Sequence, residues 1–196
     1  MELLIASNNP NKIRELKEIL GDRFETFSLK EKGIVSDPEE TGKTFEENAR
    51  IKAVAGMKAS GMPCIADDSG LEVLALDCRP GVMSARYSGS HGDDAANNEK
   101  LLAELADKPD RSARYVCVIC MAFPDGRELE ARGECYGEIL KEKRGNGGFG
   151  YDPLFYFPQF DKTFAEISAE EKNEVSHRNA ALKAFEKLWE KEINDK

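Results

Sequence analysis

The amino-acid sequence predicts an α/β fold in which helices flank a mixed β-sheet and a cleft separates two lobes. Three observations lead to this class. Strand-like apolar runs alternate with helix-like segments, two long β-like runs occupy the middle of the chain, and helices are predicted before and after them. The length of 196 residues suits a single domain over residues 1–196. Ligands favour clefts, so we expect the binding site there.

The first predicted elements are a strand over residues 2–6, a polar loop over residues 7–12 and a helix. Asn9 is a suitable N-cap, and Pro10 suits the first helical position, where a missing N–H costs nothing. Gly21 marks the end of this helix. The polar loop therefore faces the amino end of a helix.

A second helix is predicted by the pattern Thr44-Phe45-Glu46-Glu47, which is typical of a capping box, and it continues to Gly61. The elements predicted next are a buried strand over residues 64–66, a polar corner over residues 67–70 and a strand over residues 71–76. This order places the adjacent carboxylates of Asp67 and Asp68 where one element ends.

The rest of the chain continues to alternate. The predicted elements are a helix over residues 95–105, strands over residues 113–123 and 128–140, a hairpin turn at residues 124–126, an irregular loop over residues 145–150, and a helix after Ser176. Ordering four glycines in the six-residue loop costs much backbone entropy on folding. A role in which the backbone of this loop approaches a ligand would explain why the glycines are present. The last helix is predicted to bury Ala181, Leu182, Phe185, Leu188 and Trp189.

Composition and charge exclude several classes of function. A formal net charge of -9 repels a phosphate backbone, so no nucleic-acid partner is expected. No apolar run approaches a secretion signal or a membrane span, so we expect no membrane partner. Five cysteines, an odd number, suit free thiols in a cytoplasmic protein. Cys117 and Cys120 lie three apart on a strand and point to opposite faces, which favours buried structural residues over a redox or metal pair.

The loop Ser7-Asn8-Asn9-Pro10-Asn11-Lys12 is a candidate phosphate cradle. It joins a strand to a helix amino end and supplies hydroxyl, amide, backbone and ammonium donors. It lacks the Walker pattern, so a capped polar turn without a ligand is an equal alternative from these residues alone.

The adjacent carboxylates form a second candidate site. Side chains of neighbouring residues diverge on an extended backbone, so only one of Asp67 and Asp68 is expected to face a given cleft. Beside a polyphosphate such a carboxylate can bind Mg²⁺ or accept a proton from an attacking water, and Glu39 and Glu40 offer further oxygen ligands. The chain has two histidines and no Cys/His cluster of workable spacing, so a zinc site is not expected.

Two segments in the second half could recognise the rest of a nucleotide. Phe149-Gly150-Tyr151-Asp152 places aromatic rings beside the glycine loop, where a ring could stack on a base or simply lie in the core. Lys172, His177 and Arg178 could donate to an anion or to a base edge, and the alternative is a solvated basic patch.

Five motifs in register make the chain resemble the inosine/xanthosine triphosphate pyrophosphatase family over essentially its whole length. They are Ser7-Asn8-Asn9-Pro10-Asn11-Lys12, Thr44-Phe45-Glu46-Glu47-Asn48-Ala49, Ala66-Asp67-Asp68-Ser69-Gly70-Leu71, Gly148-Phe149-Gly150-Tyr151-Asp152-Pro153 and Ser176-His177-Arg178. The resemblance implies an elongated two-lobed α/β domain around a long mixed sheet, a nucleotide in the cleft between the lobes, and a homodimer.

The resemblance also implies roles for individual residues. Asp68 is implied as proton acceptor and magnesium ligand, with Glu40 as a second metal contact and Asp67 in support. The implied substrate contacts are the triphosphate loop Ser7, Asn8, Asn9, Pro10, Asn11 and Lys12, the further phosphate contacts Lys52 and Arg86, a polar contact of Ser69 beside the acidic pair, and, around the base and its neighbouring phosphate, Phe149, Gly150, Tyr151, Asp152, Lys172, His177 and Arg178. The position of Arg86 depends on an alignment across the loop 81–86.

The implied function is Mg²⁺-dependent hydrolysis of noncanonical purine nucleoside triphosphates (dITP, ITP and XTP) to the monophosphate and pyrophosphate in the cytoplasm. Two alternatives stay open. A related pyrophosphatase could act on modified pyrimidine or methylated guanine triphosphates, and a nucleotide-sensing module could bind without turnover.

Overall fold

The computed structural model describes residues 1–194. Within that range the regular elements are eight strands and five α-helices. The strands are β1 (Glu2–Ile5), β2 (Glu25–Ser28), β3 (Cys64–Val73), β4 (Arg79–Pro80), β5 (Ser112–Ala122), β6 (Glu128–Ile139), β7 (Phe155–Phe157) and β8 (Lys162–Thr163). The helices are α1 (Pro10–Leu20), α2 (Phe45–Ser60), α3 (Asp94–Glu104), α4 (Ala169–Val175) and α5 (His177–Asn194).

The strands form one mixed sheet with the order β2-β1-β3-β5-β6-β7-β8, and β4 pairs with β3. β1 is parallel to both β2 and β3, whereas the β3/β4, β6/β7 and β7/β8 pairs are antiparallel. The predicted α/β class with a mixed sheet and flanking helices is therefore confirmed.

The chain divides into two compact units. Unit 1 comprises residues 1–68, 117–133 and 178–196, and unit 2 comprises residues 69–116 and 134–177. The long strands β3, β5 and β6 each contribute residues to both units. The chain thus passes from one unit to the other inside its longest strands.

Unit 1 has a core in which strand residues pack with one face each of α1 and α5. Its buried members include Leu3 and Ile5 of β1, Leu16 of α1 and Phe185 of α5. The hydrophobic face of α1 follows from apolar side chains spaced at helical intervals. This core fixes the carboxyl end of β1, from which the loop 7–12 leaves.

Unit 2 has a separate core that is richer in aromatic side chains. Tyr115, Phe155 and Phe164 lie together, with the Tyr115 and Phe155 ring centroids 4.6 Å apart. Tyr151 and Leu101 belong to the same buried cluster. The aromatic packing supports the segment that follows the glycine loop.

Several predicted elements are confirmed within one or two residues. The first strand, the first two helices, the helix near residue 95 and the two long strands all exist. The hairpin turn is present, with the Gly126 N–H donating to the Phe123 carbonyl oxygen at 3.0 Å. The loop 145–150 contains neither helix nor strand.

Two predictions about local structure are wrong. The polar corner at residues 67–70 does not exist, because these residues lie inside the ten-residue strand β3. Buried cationic partners satisfy the carboxylates there, so tertiary contacts override the turn preference of Asp, Ser and Gly. Leu188 is 40% exposed rather than buried, because it lies just off the stripe of α5 that faces the core. The short elements β2, β4, β7, β8 and α4 were not predicted.

Across residues 1–194, the helices are all too short or too polar to cross a membrane.

Candidate active site

The centre of the candidate site in unit 1 is the pair of adjacent carboxylates on β3. Asp67 and Asp68 are both buried. Because side chains alternate along a strand, the two carboxylates meet different partners. The two side chains therefore diverge, as the extended backbone predicted.

Asp67 accepts from two cations supplied by different helices. Its Oδ2 lies 3.1 Å from Lys12 Nζ and 3.2 Å from Arg178 Nη2. Arg178, 1% exposed, is also ion-paired with Glu15 of α1. Burial alone would raise the pKa of Asp67, but the positive charges of Lys12 and Arg178 outweigh it and hold that pKa far below its usual range.

Cys117 lies at the edge of this cluster. Its Sγ is 3.9 Å from Asp67 Oδ2. Burial first, and then the negative charge of Asp67, raise the pKa of Cys117 to about 12. The thiol is therefore protonated and serves as a small buried neighbour of the carboxylate, as the sequence interpretation of Cys117 expected.

Asp68 has a different environment, formed by α2 and the segment that precedes it. Its Oδ1 lies 3.1 Å from Lys52 Nζ, and its Oδ2 accepts from Asn48 Nδ2 at 3.2 Å. Burial raises the pKa of Asp68, and Glu40 adds to this rise, although Lys52 and Lys12 oppose it. A buried carboxylate with a raised pKa is a better proton acceptor than an ordinary one.

The Lys52 ammonium connects Asp68 with Glu40. Glu40 Oε1 lies 2.7 Å from the same Nζ that contacts Asp68. Although burial would lower the pKa of Lys52, the charges of Asp68, Asp67 and Glu40 raise it. Lys52 is thus a permanent cation between two carboxylates.

The arrangement of Glu40 and Asp68 fits a hard divalent cation such as Mg²⁺. Two carboxylate oxygens converge on one positive charge, and oxygen ligands are those that Mg²⁺ prefers. Within residues 1–194 no group of three or more His, Cys, Asp or Glu side chains is arranged to hold a metal. Such an ion would need phosphate and water oxygens to complete its coordination, which is the usual way in which Mg²⁺ binds with a nucleotide.

Residues 7–9 of the predicted phosphate loop lie between β1 and α1, residues 10–12 begin α1, and the predicted N-cap is confirmed. Asn9 Oδ1 accepts from the Asn11 N–H at 2.9 Å and from the Lys12 N–H at 3.4 Å. Ser7 Oγ accepts from the Asn9 N–H at 3.2 Å. Asn8 is exposed and donates through Nδ2 to Asp37 Oδ1 at 3.2 Å. Pro10 occupies the start of the helix, as predicted.

These contacts show that part of the predicted backbone phosphate cradle is already hydrogen-bonded within the protein. The Asn9 side chain already accepts from two N–H groups at the helix start, so the donors left to a ligand are mainly side chains. The Lys12 ammonium is the strongest of them, and it is paired with Asp67.

Unit 2 holds the second group of predicted residues, around a buried ion pair. Lys172 Nζ lies 2.5 Å from Asp152 Oδ2 and 4.5 Å from the centroid of the Phe149 ring. Asp152 also accepts from the Phe149 N–H at 2.9 Å and from Tyr115 Oη at 3.3 Å. The His177 ring stacks on Tyr115 with centroids 4.8 Å apart. The basic side chains here are buried rather than a solvated patch.

The two aromatic residues of the segment 149–152 have different positions. Tyr151 is buried in the core and donates to the Ser84 carbonyl oxygen at 2.9 Å, so its ring serves packing. Phe149 is half-buried beside the Lys172 ammonium. Of the two rings that the sequence left open, Phe149 is the one suited to stack on a ligand.

Helix α3 supports Gly150 and the segment that carries Arg86. Asp94 Oδ2 accepts from the Gly150 N–H at 2.7 Å, and Asn98 Nδ2 donates to the Gly150 carbonyl oxygen at 2.8 Å. Asn97 Oδ1 accepts from the Ser88 N–H at 2.7 Å. Within the part of the chain that the structure describes, half-buried Arg86 forms no ion pair, which leaves its guanidinium available to an anion.

The predicted residues fall into two groups, one in each unit. Unit 1 holds Ser7, Asn8, Asn9, Pro10, Asn11, Lys12, Glu40, Lys52, Asp68 and Arg178, whereas unit 2 holds Ser69, Arg86, Phe149, Gly150, Tyr151, Asp152, Lys172 and His177. His177 and Arg178, which are adjacent at the start of α5, fall in different units. The Arg178 guanidinium lies with Asp67 and Glu15, so the predicted contact between Arg178 and a base stays a prediction.

Sequence reasoning missed several polar residues of these groups. They are Glu15, Asn48, Asp94, Asn98 and Tyr115. A signal existed for one of them, since Asn48 is spaced four residues from both Thr44 and Lys52 and must share their helix face. The others pair with residues distant in sequence, which no local pattern indicates.

The chain is similar to known proteins over nearly its whole length. Residues 3–188 match the model of the Ham1 family. The chain is similar to a dITP/XTP pyrophosphatase of Desulfotalea psychrophila, with 57% identity over 181 residues, 92% of this chain and 81% of the relative. It is also similar to a dITP/XTP pyrophosphatase of Staphylococcus aureus strain Mu50, with 48% identity over 98% of each chain.

Solved structures give the same result. The Ham1 protein of Staphylococcus aureus has a TM-score of 0.89 and 47% identity, covering 98% of this chain and all (100%) of its own. A HAM1 protein of Coxiella burnetii has a TM-score of 0.89 and 43% identity, with 97% and 99% of the two chains covered. With a family match over nearly the whole length and identities far above 30%, the chain belongs to the Ham1 family.

Proposed function

We propose that this chain is a nucleoside-triphosphate pyrophosphatase that hydrolyses the noncanonical purine nucleotides dITP, ITP and XTP to the monophosphate and pyrophosphate, and so cleanses the nucleotide pool. The observation that carries the proposal is the pair of adjacent buried carboxylates with oppositely shifted pKa values, each facing its own lysine. The names of the relatives support the substrate class.

Asp68 is the proposed catalytic base. Its raised pKa and its position in the hydrogen-bonded group of Asn48 and Lys52 suit it to accept a proton from the water that attacks the α-phosphorus. The bond to the pyrophosphate leaving group then breaks. Asp67, held ionised by Lys12 and Arg178, stays a fixed negative charge that orients these two cations.

Lys12 and Lys52 are the proposed partners of the departing negative charge. Both ammonium groups are buried enough to act in a low dielectric, with side-chain exposures of 17% and 15%. Ser7, Asn8, Asn9 and Asn11 supply further polar groups at the start of α1. We propose Arg86 as an additional phosphate contact and Ser69 as a polar contact beside the acidic pair.

We propose Mg²⁺ as the cofactor, held by Glu40 and Asp68. When bound, such an ion polarises phosphoryl oxygens and neutralises charge on the leaving pyrophosphate. The two carboxylates that share Lys52 are the observation that supports this site. Removal of divalent cations with EDTA should abolish pyrophosphate release, and added Mg²⁺ should restore it.

Recognition of the base is proposed for the group in unit 2. Phe149 offers a ring, Lys172 and His177 offer donors, and Gly150 and Asp152 hold the segment in place. Hypoxanthine and xanthine carry a 6-oxo acceptor, whereas adenine presents an amino donor that would leave a buried donor unpaired. Guanine shares the 6-oxo group, so its rejection requires a second contact at the 2-position. Arg178 remains the other proposed donor.

We further propose a homodimer that acts in the cytoplasm without nucleic-acid or membrane partners. The five cysteines are free, as suits a reducing compartment, and the net charge of -9 opposes nucleic-acid binding. Light scattering coupled to size-exclusion chromatography measures the oligomeric state, and a single species at the monomer mass would contradict the dimer.

The test of the proposed function is pyrophosphate release in the presence of Mg²⁺ with dITP, XTP, dATP, dGTP and pyrimidine triphosphates in parallel. Strong preference for dITP and XTP, with monophosphate and pyrophosphate as products, is the expected result. Preference for a pyrimidine or a methylated guanine nucleotide would indicate a related pyrophosphatase, and tight binding without turnover would indicate a sensing module.

A further inference from the structure

Asn48 is a fully buried amide that uses both ends of its side chain. It lies in the first turn of α2 with 0% exposure. Its Nδ2 donates to Asp68 Oδ2 at 3.2 Å, and its Oδ1 accepts from the Gly42 N–H at 2.9 Å. Asn48 therefore joins the β3 carboxylate to the segment that precedes α2.

That segment is the one that carries Glu40. Glu40 stands two residues before Gly42 and pairs with Lys52, the same lysine that contacts Asp68 Oδ1. The two oxygens of Asp68 thus have different partners on α2, Lys52 for Oδ1 and Asn48 for Oδ2. Both of these partners also contact the segment that carries Glu40, Lys52 through Glu40 itself and Asn48 through Gly42.

Gly42 shows how closely the segment approaches Asn48. A Cβ at position 42 would come to 2.5 Å from Asn48 Oδ1 and 2.7 Å from Glu47 Cβ. Real Cβ atoms do not approach other atoms so closely, so a side chain at position 42 would displace the amide or the segment. The hydrogen bond at Asn48 Oδ1 depends on this absence of a side chain.

The amide satisfies both contacts at this position because it carries a donor and an acceptor. A carboxylate could accept from Gly42 but could not donate to Asp68, and an apolar side chain would leave a buried acceptor and a buried donor unpaired. The four-residue spacing of Thr44, Asn48 and Lys52 places all three on one face of the helix. The sequence pattern and the contacts therefore agree.

We propose that Asn48 is a positioning residue, which holds Asp68 and the Glu40 segment in the one arrangement that binds a divalent cation. The inference rests on the proposed function and adds to it a residue that touches neither the substrate nor the cation. Partners that orient metal ligands are worth about 10- to 100-fold in metal affinity.

The test compares the wild type with N48A, G42A and the control T44A. N48A removes both hydrogen bonds, whereas G42A keeps the amide and introduces a Cβ that crowds Asn48 Oδ1 and Glu47 Cβ. T44A removes the N-cap of the same helix, where Thr44 Oγ1 accepts from the Glu47 N–H at 3.2 Å, and leaves the Asn48 contacts in place. It therefore controls for loss of α2 stability.

The first measurement does not require turnover. It is Mn²⁺ binding in the presence of an α,β-imido analogue of dITP, measured as the loss of the electron paramagnetic resonance signal of free Mn²⁺. N48A should weaken Mn²⁺ binding by about 10- to 100-fold and raise the Mg²⁺ concentration for half-maximal turnover in step. G42A should weaken binding less, and its effect should shrink in the N48A background, where the clash with the amide is gone. T44A should lower Tm without changing Mn²⁺ affinity.

The outcomes separate this inference from the proposed function. A wild-type protein that releases no pyrophosphate from any triphosphate defeats the proposed function itself. An active wild type with unchanged Mn²⁺ affinity in N48A, or with T44A as impaired as N48A, overturns the positioning role alone. If N48A does not fold, G42A provides the test. An unaltered Mn²⁺ affinity in G42A would also overturn the positioning role of Asn48.

Discussion

The neighbouring carboxylates of β3 should respond in opposite ways to the same substitution. D67N leaves Lys12 and Arg178 beside a neutral side chain, although each was paired with Asp67 at 3.1 and 3.2 Å. D68N leaves Lys52 with Glu40 still at 2.7 Å. We expect D67N to lose stability and D68N to lose turnover.

The magnitudes follow from burial and from the direction of each pKa shift. Removing one partner of a buried ion pair costs about 3–5 kcal/mol. In a domain of this size 1 kcal/mol changes Tm by about 2–4 °C, so D67N should lower Tm by roughly 6–20 °C. The raised pKa of Asp68 means that the fold disfavours its ionised form, so D68N should unfold at an equal or higher temperature. Its turnover should fall by about 100-fold or more.

Thermal unfolding by circular dichroism and pyrophosphate release from dITP, both at pH 7, measure the two effects. Calorimetric binding of a non-hydrolysable dITP analogue shows whether D68N keeps its ligand. Near-normal turnover in D68N would remove Asp68 from the chemistry. A D67N protein as stable as the wild type would show that the Asp67 ion pairs contribute no net stability.

Three further predictions concern stability and accessibility. Asp77 has φ 53° and ψ 46°, a left-handed conformation that glycine adopts without strain. D77G should therefore be about 1 kcal/mol more stable than D77A in urea unfolding. Equal stability of the two variants would contradict the assigned backbone strain. Cys78 alone among the five cysteines is not buried, so a thiol reagent should modify one group rapidly in the native protein and five in denaturant; rapid reaction of a second thiol would contradict this. Hydrogen bonds from Lys17 and Ser28 lower the pKa of Glu31 to about 2, so its ionised form stabilises the fold above pH 4.5 and less as the pH falls toward 2. E31Q should therefore have a lower Tm than the wild type at pH 7, and a difference that does not narrow below pH 4.5 would count against the role of ionised Glu31.

Elements with strong local signals were predictable from the sequence. The N-cap at Asn9, Pro10 at the helix start and the Thr44 cap all act through residues within four positions of each other. The hairpin turn at residues 124–126 likewise depends on the turn-forming residue types Pro, Asp and Gly within it. The short strands β7 and β8 have no such signal, because two or three residues carry no measurable periodicity. β7 pairs with β6 and β8 pairs with β7, so each is set by its neighbour in the sheet.

The site was predictable in its residue types and much less in its contacts. Lys12 and the adjacent carboxylates of Asp67 and Asp68 were identified from the residues themselves, and Lys52 through the resemblance, but several of their partners come from elements far apart in the chain. Arg178, for example, pairs with Glu15 and Asp67, which lie 163 and 111 residues away. No window of sequence contains both members of such a pair, so only the fold reveals them.

The error at residues 67–70 and the correct prediction beside it have one physical origin. The turn-forming composition of this run suggested a corner, yet the run is the interior of β3, where buried cations satisfy its carboxylates. The inference that Asp67 and Asp68 diverge survived this error because it depends only on an extended backbone, which a strand interior provides more strictly than a corner does. Since side chains alternate along the strand, Asp67 faces Lys12 and Arg178, whereas Asp68 faces Lys52 and Asn48. A one-residue slip of β3 would exchange the two environments, so the register Leu4↔Cys64 and Ile5↔Ile65 with β1 determines which carboxylate takes the place proposed for the proton acceptor.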